Sequence, residues 1–331
     1  MALRWIDGFD HYSAAHSSRI YEDGGIISMS TTFPRTGTQC ANPHYHDYGV
    51  SKYLGVSANV LILGFAYYND NGAFPGWHNI LRFFDGTTEQ LALEGGPEGR
   101  MRIRSGSNVL ATTQPLAYSL KQWQYVELKV TFGAPGSYEL RINTKTTLSG
   151  SGTTRQSTNN SANWVRLNGP NGDFVDDLYI CDNSGTLNND FLGDIKVVTV
   201  YPNAEGSVLE WTPSSGSTHY TLVDEAPAND DTDYVYTSTV GATETLNFQD
   251  ITLTGSILGV GQFACIRKDD AGTREACLIC RVGNTNYEGP QQTVNNTYSY
   301  LKQVRETNPA TGAPWTLSEF NSAQFGVRMK A

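Results

Sequence analysis

The sequence predicts an all-β protein, two jelly-roll-like β-sandwich domains in tandem with one short helix near the C-terminus. Three observations carry this reading. The 331 residues exceed what one hydrophobic core usually gathers, so two domains are expected. Charged residues are only 17% of the chain against 39% hydrophobic, and 18 Tyr and 33 Gly accompany them. That is the make-up of short strands joined by turns, not of a disordered chain. Finally, period-two alternation recurs along the whole sequence.

Taken in order, Val56 to Tyr68 is apolar enough for a strand buried on both faces. Leu81 to Gly86 is a strand running into an Asp-Gly turn, and Gln90–Glu94 and Arg100–Arg104 both alternate. Trp123–Phe132 and Ser137–Asn143 alternate on either side of Gly133-Ala134-Pro135-Gly136, which predicts a hairpin. Leu148 to Ala162, rich in Gly, Ser, Thr and Asn, reads as a mobile loop. Phe174–Cys181 is another strand, and Gly193–Tyr201 is expected to close the first domain. Pro202–Gly206 marks the break, giving domains 1–203 and 207–331. In the second, Val260–Lys268, a turn at Asp269–Gly272 and Arg274–Val282 predict a long hairpin. Tyr298–Val304 is a further strand. Thr316-Leu317-Ser318-Glu319 is a capping box opening a helix toward Gln324, and Phe325–Met329 is the last strand.

The net charge of −10 argues against a nucleic-acid partner, which needs clustered Lys and Arg. Arg100, Arg102 and Arg104 share one face of their strand and read as solvated. Cys277 and Cys280 form a CxxC, but residues three apart on a strand point to opposite faces and cannot chelate one ion. The five cysteines are therefore expected to be buried and structural. No signal peptide and no apolar run of ~18 residues is visible, so neither secretion by a leader nor membrane insertion is expected. His44 and His46 fall on one face if extended, yet no third metal ligand accompanies them, and an aromatic polar loop is the favoured reading.

Trp123–Phe132, a short turn, Tyr138–Asn143 and then Leu148-Ser149-Gly150-Ser151-Gly152 resemble the middle of a concanavalin-A/laminin-G sandwich. Phe174–Ile180 followed by Gly193-Asp194-Ile195 is similar to its last two strands, and Ile6-Asp7-Gly8-Phe9-Asp10 to its first. The stretches Asp230–Val235, Arg267–Arg274 and Glu306–Trp315 resemble the C-terminal region of bacteriophage and prophage virion structural proteins. The resemblance implies a virion component, either a capsid decoration or part of a tail or fibre. Such a chain is made in the host cytoplasm and resides in the virion, bound to other virion proteins and to copies of itself. It also implies a structural Ca²⁺ where the first strand meets the last but one, held by Asp7 or Asp10 with Asp176 or Asp177. The competing reading has one of Asp176 and Asp177 capping backbone amides.

The sequence predicts binding rather than catalysis. No Glu-x-Asp-x-Glu run supplies the paired carboxylates of a sandwich glucanase, and no nucleophile elbow occurs. The alternative to a virion part is a carbohydrate-binding module or a receptor-binding adhesin for a host-surface glycan, and a glycoside hydrolase is the least favoured. For a glycan the candidate residues are Tyr67, Tyr68, Asn69, Asp70, Trp77 and His78. They mix rings that stack on sugars with groups that hydrogen-bond hydroxyls.

Overall fold

Alternating residues pair first with their near neighbours. In the computed structural model, which describes residues 1–22, 27–43, 49–70, 75–170 and 172–331, Gln124–Thr131 and Gly136–Ile142 form the expected hairpin. Val126 lies opposite Ile142 and Val130 opposite Tyr138. The chain divides into two units, Met1–Val198 and Thr199–Ala331.

Two antiparallel sheets build the first unit. One runs in the order Lys145–Gly152, Gly136–Ile142, Gln124–Thr131, Val60–Asn69, Asp173–Asp182, Cys40–Asn42 and Ser28–Ser30, with Leu3–Asp7 also paired to Asp173–Asp182. The other runs Val50–Ala58, Ala162–Leu167, His78–Asp85, Thr88–Gly96, Arg100–Ser105 and Asn108–Thr112. Leu61, Leu63, Phe65, Val126 and Leu128 of the first sheet and Leu81, Phe83, Leu91, Leu93, Met101 and Ile103 of the second are all fully buried. Each contributes roughly 1.5–3 kcal/mol by leaving water. Phe83 meets Phe132 edge-on at 5.6 Å.

Val60–Asn69 is buried along nearly its whole length, as its sequence requires, and residues 190–197 bond to the neighbouring strands of its sheet. They do so without forming a strand, which corrects the expectation for Gly193–Tyr201. Their amides bond side chains instead of a ladder: Gly193 N donates to Glu127 Oε1 at 2.8 Å and Val197 N to Asp177 Oδ1 at 2.7 Å. Glu127 is thus held at 0% exposure, with Tyr179 Oη donating to it at 2.5 Å.

The stretch read as a mobile loop contains an edge strand. Lys145–Gly152 pairs with Gly136–Ile142, and its Thr, Ser and Gly residues give no apolar period because much of it faces water. Residues 202–206, read as a linker, begin the strand Pro202–Leu209.

The second unit is a further sandwich. Its main sheet runs Pro202–Leu209, Thr243–Phe248, Gln324–Met329, Arg274–Val282 and Thr285–Glu288, with Gln292–Val294 also on Arg274–Val282. Val260–Ile266 pairs with Ser299–Arg305 rather than with Arg274–Val282, so the expected long hairpin is not formed. The Asp269–Gly272 turn joins two layers, and Gln262 Nε2 ties the ribbon to the sheet through Ile279 O and Gly326 O. Ala276, Leu278, Val294 and Leu301 close the core between them. Thr316 caps the helix Leu317–Ser322 with both arms of the capping box present. A fragment of residues 1–198 is expected to melt cooperatively on its own, since its core is complete. Circular dichroism on that fragment checks this, and a molten or insoluble product would refute it.

Candidate functional site

Four aspartates singled out in the sequence lie on Leu3–Asp7, just after it, and on Asp173–Asp182. Asp7 is fully engaged: Phe9 N donates to Oδ1 at 2.6 Å, and the Tyr12 and Tyr21 hydroxyls donate to Oδ2 at 3.1 and 2.5 Å. Asp10 Oδ1 accepts from the amides of Thr38 and Gln39. Adjacent strand residues should point to opposite faces, but Asp177 has φ +50° beside a bulge, and both it and Asp176 reach the same loop. Asp176 Oδ2 takes the Arg35 and Thr36 amides, while Asp177 Oδ2 takes the Arg35 guanidinium at 2.5 Å and the Thr36 hydroxyl at 3.0 Å. Burial, and next the charge of Asp177, push the Asp176 carboxyl up to about 8. Burial together with Asp176 and Asp10 pushes the Cys40 thiol up to about 12. Asp10 and Asp176 therefore cap the amides of the loop Arg35–Gln39, while Asp177 holds the loop by its Arg35 and Thr36 side chains and takes the Val197 amide. Gly37, at φ +70°, brings its backbone so close to Asp10 that a Cβ there would sit 2.0 Å from Oδ2.

The six aromatic and polar candidates fall in four places. Tyr67 and Asn69 are interior and both donate to Asp173, at 2.7 and 2.8 Å, with His78 Nε2 3.3 Å from the same carboxylate. Tyr68 belongs to an aromatic cluster with Phe33, Trp123 and Phe174. Asp70 donates its amide to Gly172 O. Trp77 alone is placed on the open face of the second sheet, under the Arg102 guanidinium at 4.3 Å. His44 and His46 lie outside the described residues.

That open face is the most chemically loaded surface of the first unit. Cross-strand register places Tyr53, Trp164, Phe84 and Glu89 in one row and Ser51, Arg166, Arg82, Ala92 and Arg104 in the next. Asn79, Glu94 and Arg102 make a third row, with Arg100 beyond it. Glu94 is bonded by Arg102 and by Arg104 Nε at 2.8 Å, and Glu89 pairs with Arg104 at 2.9 Å. Arg82 and Arg166 are directly opposed, an arrangement that like charges disfavour. Both guanidiniums lie over the Phe84 ring, at 5.4 and 5.1 Å, and are steered by Asn168 and Ser51. Tyr53 and Trp164 pack at 5.1 Å beside them, with Tyr53 44% exposed. Five arginines thus share a face with Glu89 and Glu94 in a chain of net charge −10. Sequence alternation revealed only Arg100, Arg102 and Arg104. The opposition of Arg82 to Arg166 links residues 84 apart and leaves no local signal.

No protein-family profile and no curated protein matches the sequence. Among solved structures, an endo-β-1,4-glucuronan lyase from the fungus Trichoderma reesei is similar over 54% of this chain and 90% of its own, at 12% identity and TM-score 0.35. A galectin from Caenorhabditis elegans is similar over 40% of this chain and 89% of its own, at 10% identity and TM-score 0.30. A Trypanosoma rangeli sialidase is similar over 37% of this chain, at 18% identity and TM-score 0.29, and the similarity spans 20% of the enzyme's length. The expectation that the chain does not catalyse is corrected accordingly, because a lyase and a sialidase stand among these structures. The paired-carboxylate spacing whose absence prompted it tests for glycoside hydrolysis alone.

Proposed function

We propose that the first unit recognises a glycan carrying carboxylate groups on the open face of its six-stranded sheet. The observation that carries this is the opposed pair Arg82 and Arg166 over Phe84, with Tyr53 and Trp164 alongside. Arg82 already lies 3.7 Å from Glu89, and because a guanidinium's planar fork matches a carboxylate, a carboxylate on the glycan would share these arginines with the face's own acids. The neighbouring rings offer the stacking surface that sugars use. The experiment is binding of the full chain to uronate-bearing, sialylated and neutral glycans. Arg166→Ala is expected to weaken the charged glycans roughly 10- to 100-fold and erase their advantage over neutral ones. Tyr53→Ala should weaken both kinds alike. Equal binding of neutral and acidic glycans by the wild type would overturn the proposal.

The resemblance of residues 207–331 to phage virion proteins supports placing this face on a virion appendage. There, self-association and contacts with other virion proteins would repeat it many times. Light scattering and mass spectrometry of purified virions test that placement, and a strict monomer absent from virions refutes it. Calcium is proposed at the loop Arg35–Gln39, with Asp10 and Asp176 as its carboxylates and loop carbonyls and water as the remaining oxygen donors. Asp10 and Asp176 are the carboxylates that line that loop, and since both already accept its amides, the ion would share their oxygens. Bound there, the ion would neutralise these carboxylates. Millimolar calcium is expected to raise the melting temperature of the wild type, and Asp176→Asn to lose most of that rise. An identical melt in calcium and in chelator refutes it.

A further inference from the structure

We propose that Glu205, His219 and Glu244 form a site for a first-row divalent cation in the second unit, with Zn²⁺ the natural probe. The three side chains come from separate segments: the strand Pro202–Leu209, the residue before the short 3₁₀ turn Tyr220–Leu222, and the strand Thr243–Phe248. One donor atom of each lies within 4.8 Å of the other two, and no other such group of three exists among the described residues. His219 and Glu244 are 8% and 4% exposed.

The backbone fixes two of the three directly. His219 N donates to Glu205 Oε1 at 2.6 Å, and Trp211 N donates to Glu244 Oε2 at 3.1 Å. Each carboxylate therefore has one oxygen anchored and one left over. Glu244 Oε1 lies 2.7 Å from His219 Nδ1. Glu205 Oε2 is buried and has no hydrogen-bond partner. Two ionised carboxylates with one imidazole remain net negative even when the imidazole is protonated, and a site shielded from water makes that costly. A dication cancels the charge and satisfies the orphaned oxygen in one step.

The donor set selects among cations. All-oxygen shells suit Ca²⁺ and Mg²⁺, whereas one imidazole with two carboxylates suits Zn²⁺ and its first-row neighbours. Three protein donors leave room for water, which completes a four-coordinate shell. The location gives the ion a task. Pro202–Leu209 ends its sheet, and its pairing with Thr243–Phe248 is interrupted by two register shifts. An ion held by Glu205, Glu244 and His219 clamps this irregular edge where ladder hydrogen bonds are missing.

The test uses the full chain stripped with chelator and then dialysed against a small excess of Zn²⁺. Elemental analysis should find one more zinc per chain in the wild type than in Glu205→Gln or His219→Gln, and zinc bound elsewhere cancels in that difference. Glu205→Gln keeps an acceptor for the His219 amide, so in chelator it should melt close to wild type. Saturating Zn²⁺ should raise the wild-type melting temperature by several degrees, roughly, and leave the variants unmoved. Equal zinc content and equal zinc response in wild type and variants would overturn the site. Should the variants fail to fold, Co²⁺ in the wild type decides. Visible bands without sulfur-to-metal charge transfer support the site, while strong charge transfer would move the ion to cysteines and refute it.

Discussion

Gly64→Ala is expected to cost the first unit about 3 kcal/mol or more, at the upper end of overpacking penalties. Gly64 sits mid-strand opposite Tyr179, and a Cβ there would lie 2.1 Å from a ring carbon of Tyr179. The ring cannot step aside. It stacks against Tyr125 at 6.4 Å, and its hydroxyl both donates to Glu127 and accepts from Leu192 N. Relieving the clash would strip a donor from a carboxylate at 0% exposure. Gly76→Ala, with open space around the added carbon, is the matched control and should be neutral. Urea denaturation measures both. A Gly64→Ala midpoint within about 0.5 kcal/mol of wild type would show that the outer face is looser than the packing implies.

Asp7→Ala should be of similar size, about 3–5 kcal/mol, by a different route, since each buried donor left without an acceptor costs about 1–3 kcal/mol. No methyl group is added. Instead two tyrosine hydroxyls and an amide lose their acceptor where Tyr12 and Tyr21 are 1% and 3% exposed. The amide belongs to Phe9, whose φ of +62° is a conformation such a residue adopts only when its surroundings insist. Asp10→Ala removes bonds to the exposed Thr38 and the half-buried Gln39 and should cost clearly less. Melting temperatures rank the pair, and the reverse order would contradict this account.

Sheet-building was legible wherever pairing is local. The alternation of Trp123–Phe132 and Ser137–Asn143 specifies both strands and their turn, and Thr316 with Glu319 specifies the helix start. Legibility failed where a partner is remote. Arg274–Val282 reads like the return of Val260–Lys268, yet its neighbours are Gln324–Met329 and Thr285–Glu288, and only the assembled core selects them. The candidate face failed for the same reason. Arg82, Glu94 and Arg166 sit in three unremarkable strands, and alternation tells which residues leave the core but not which strands stand side by side. Asp176 and Asp177 were visible as acids, but the bulge that turns both toward one loop was not.

The five cysteines are all thiols, two in the first unit and three in the second, and every one but Cys265 is buried. Cys40 and Cys280 are further protected chemically, since burial pushes their pKa values up to about 12 and about 11 and keeps the reactive thiolate scarce. An alkylating reagent can therefore reach four of the five only when the structure around them opens. Cys40 and Cys181 time the opening of one unit, and Cys277 and Cys280 time that of the other, so peptide-resolved labelling yields two unfolding clocks from a single unmodified chain.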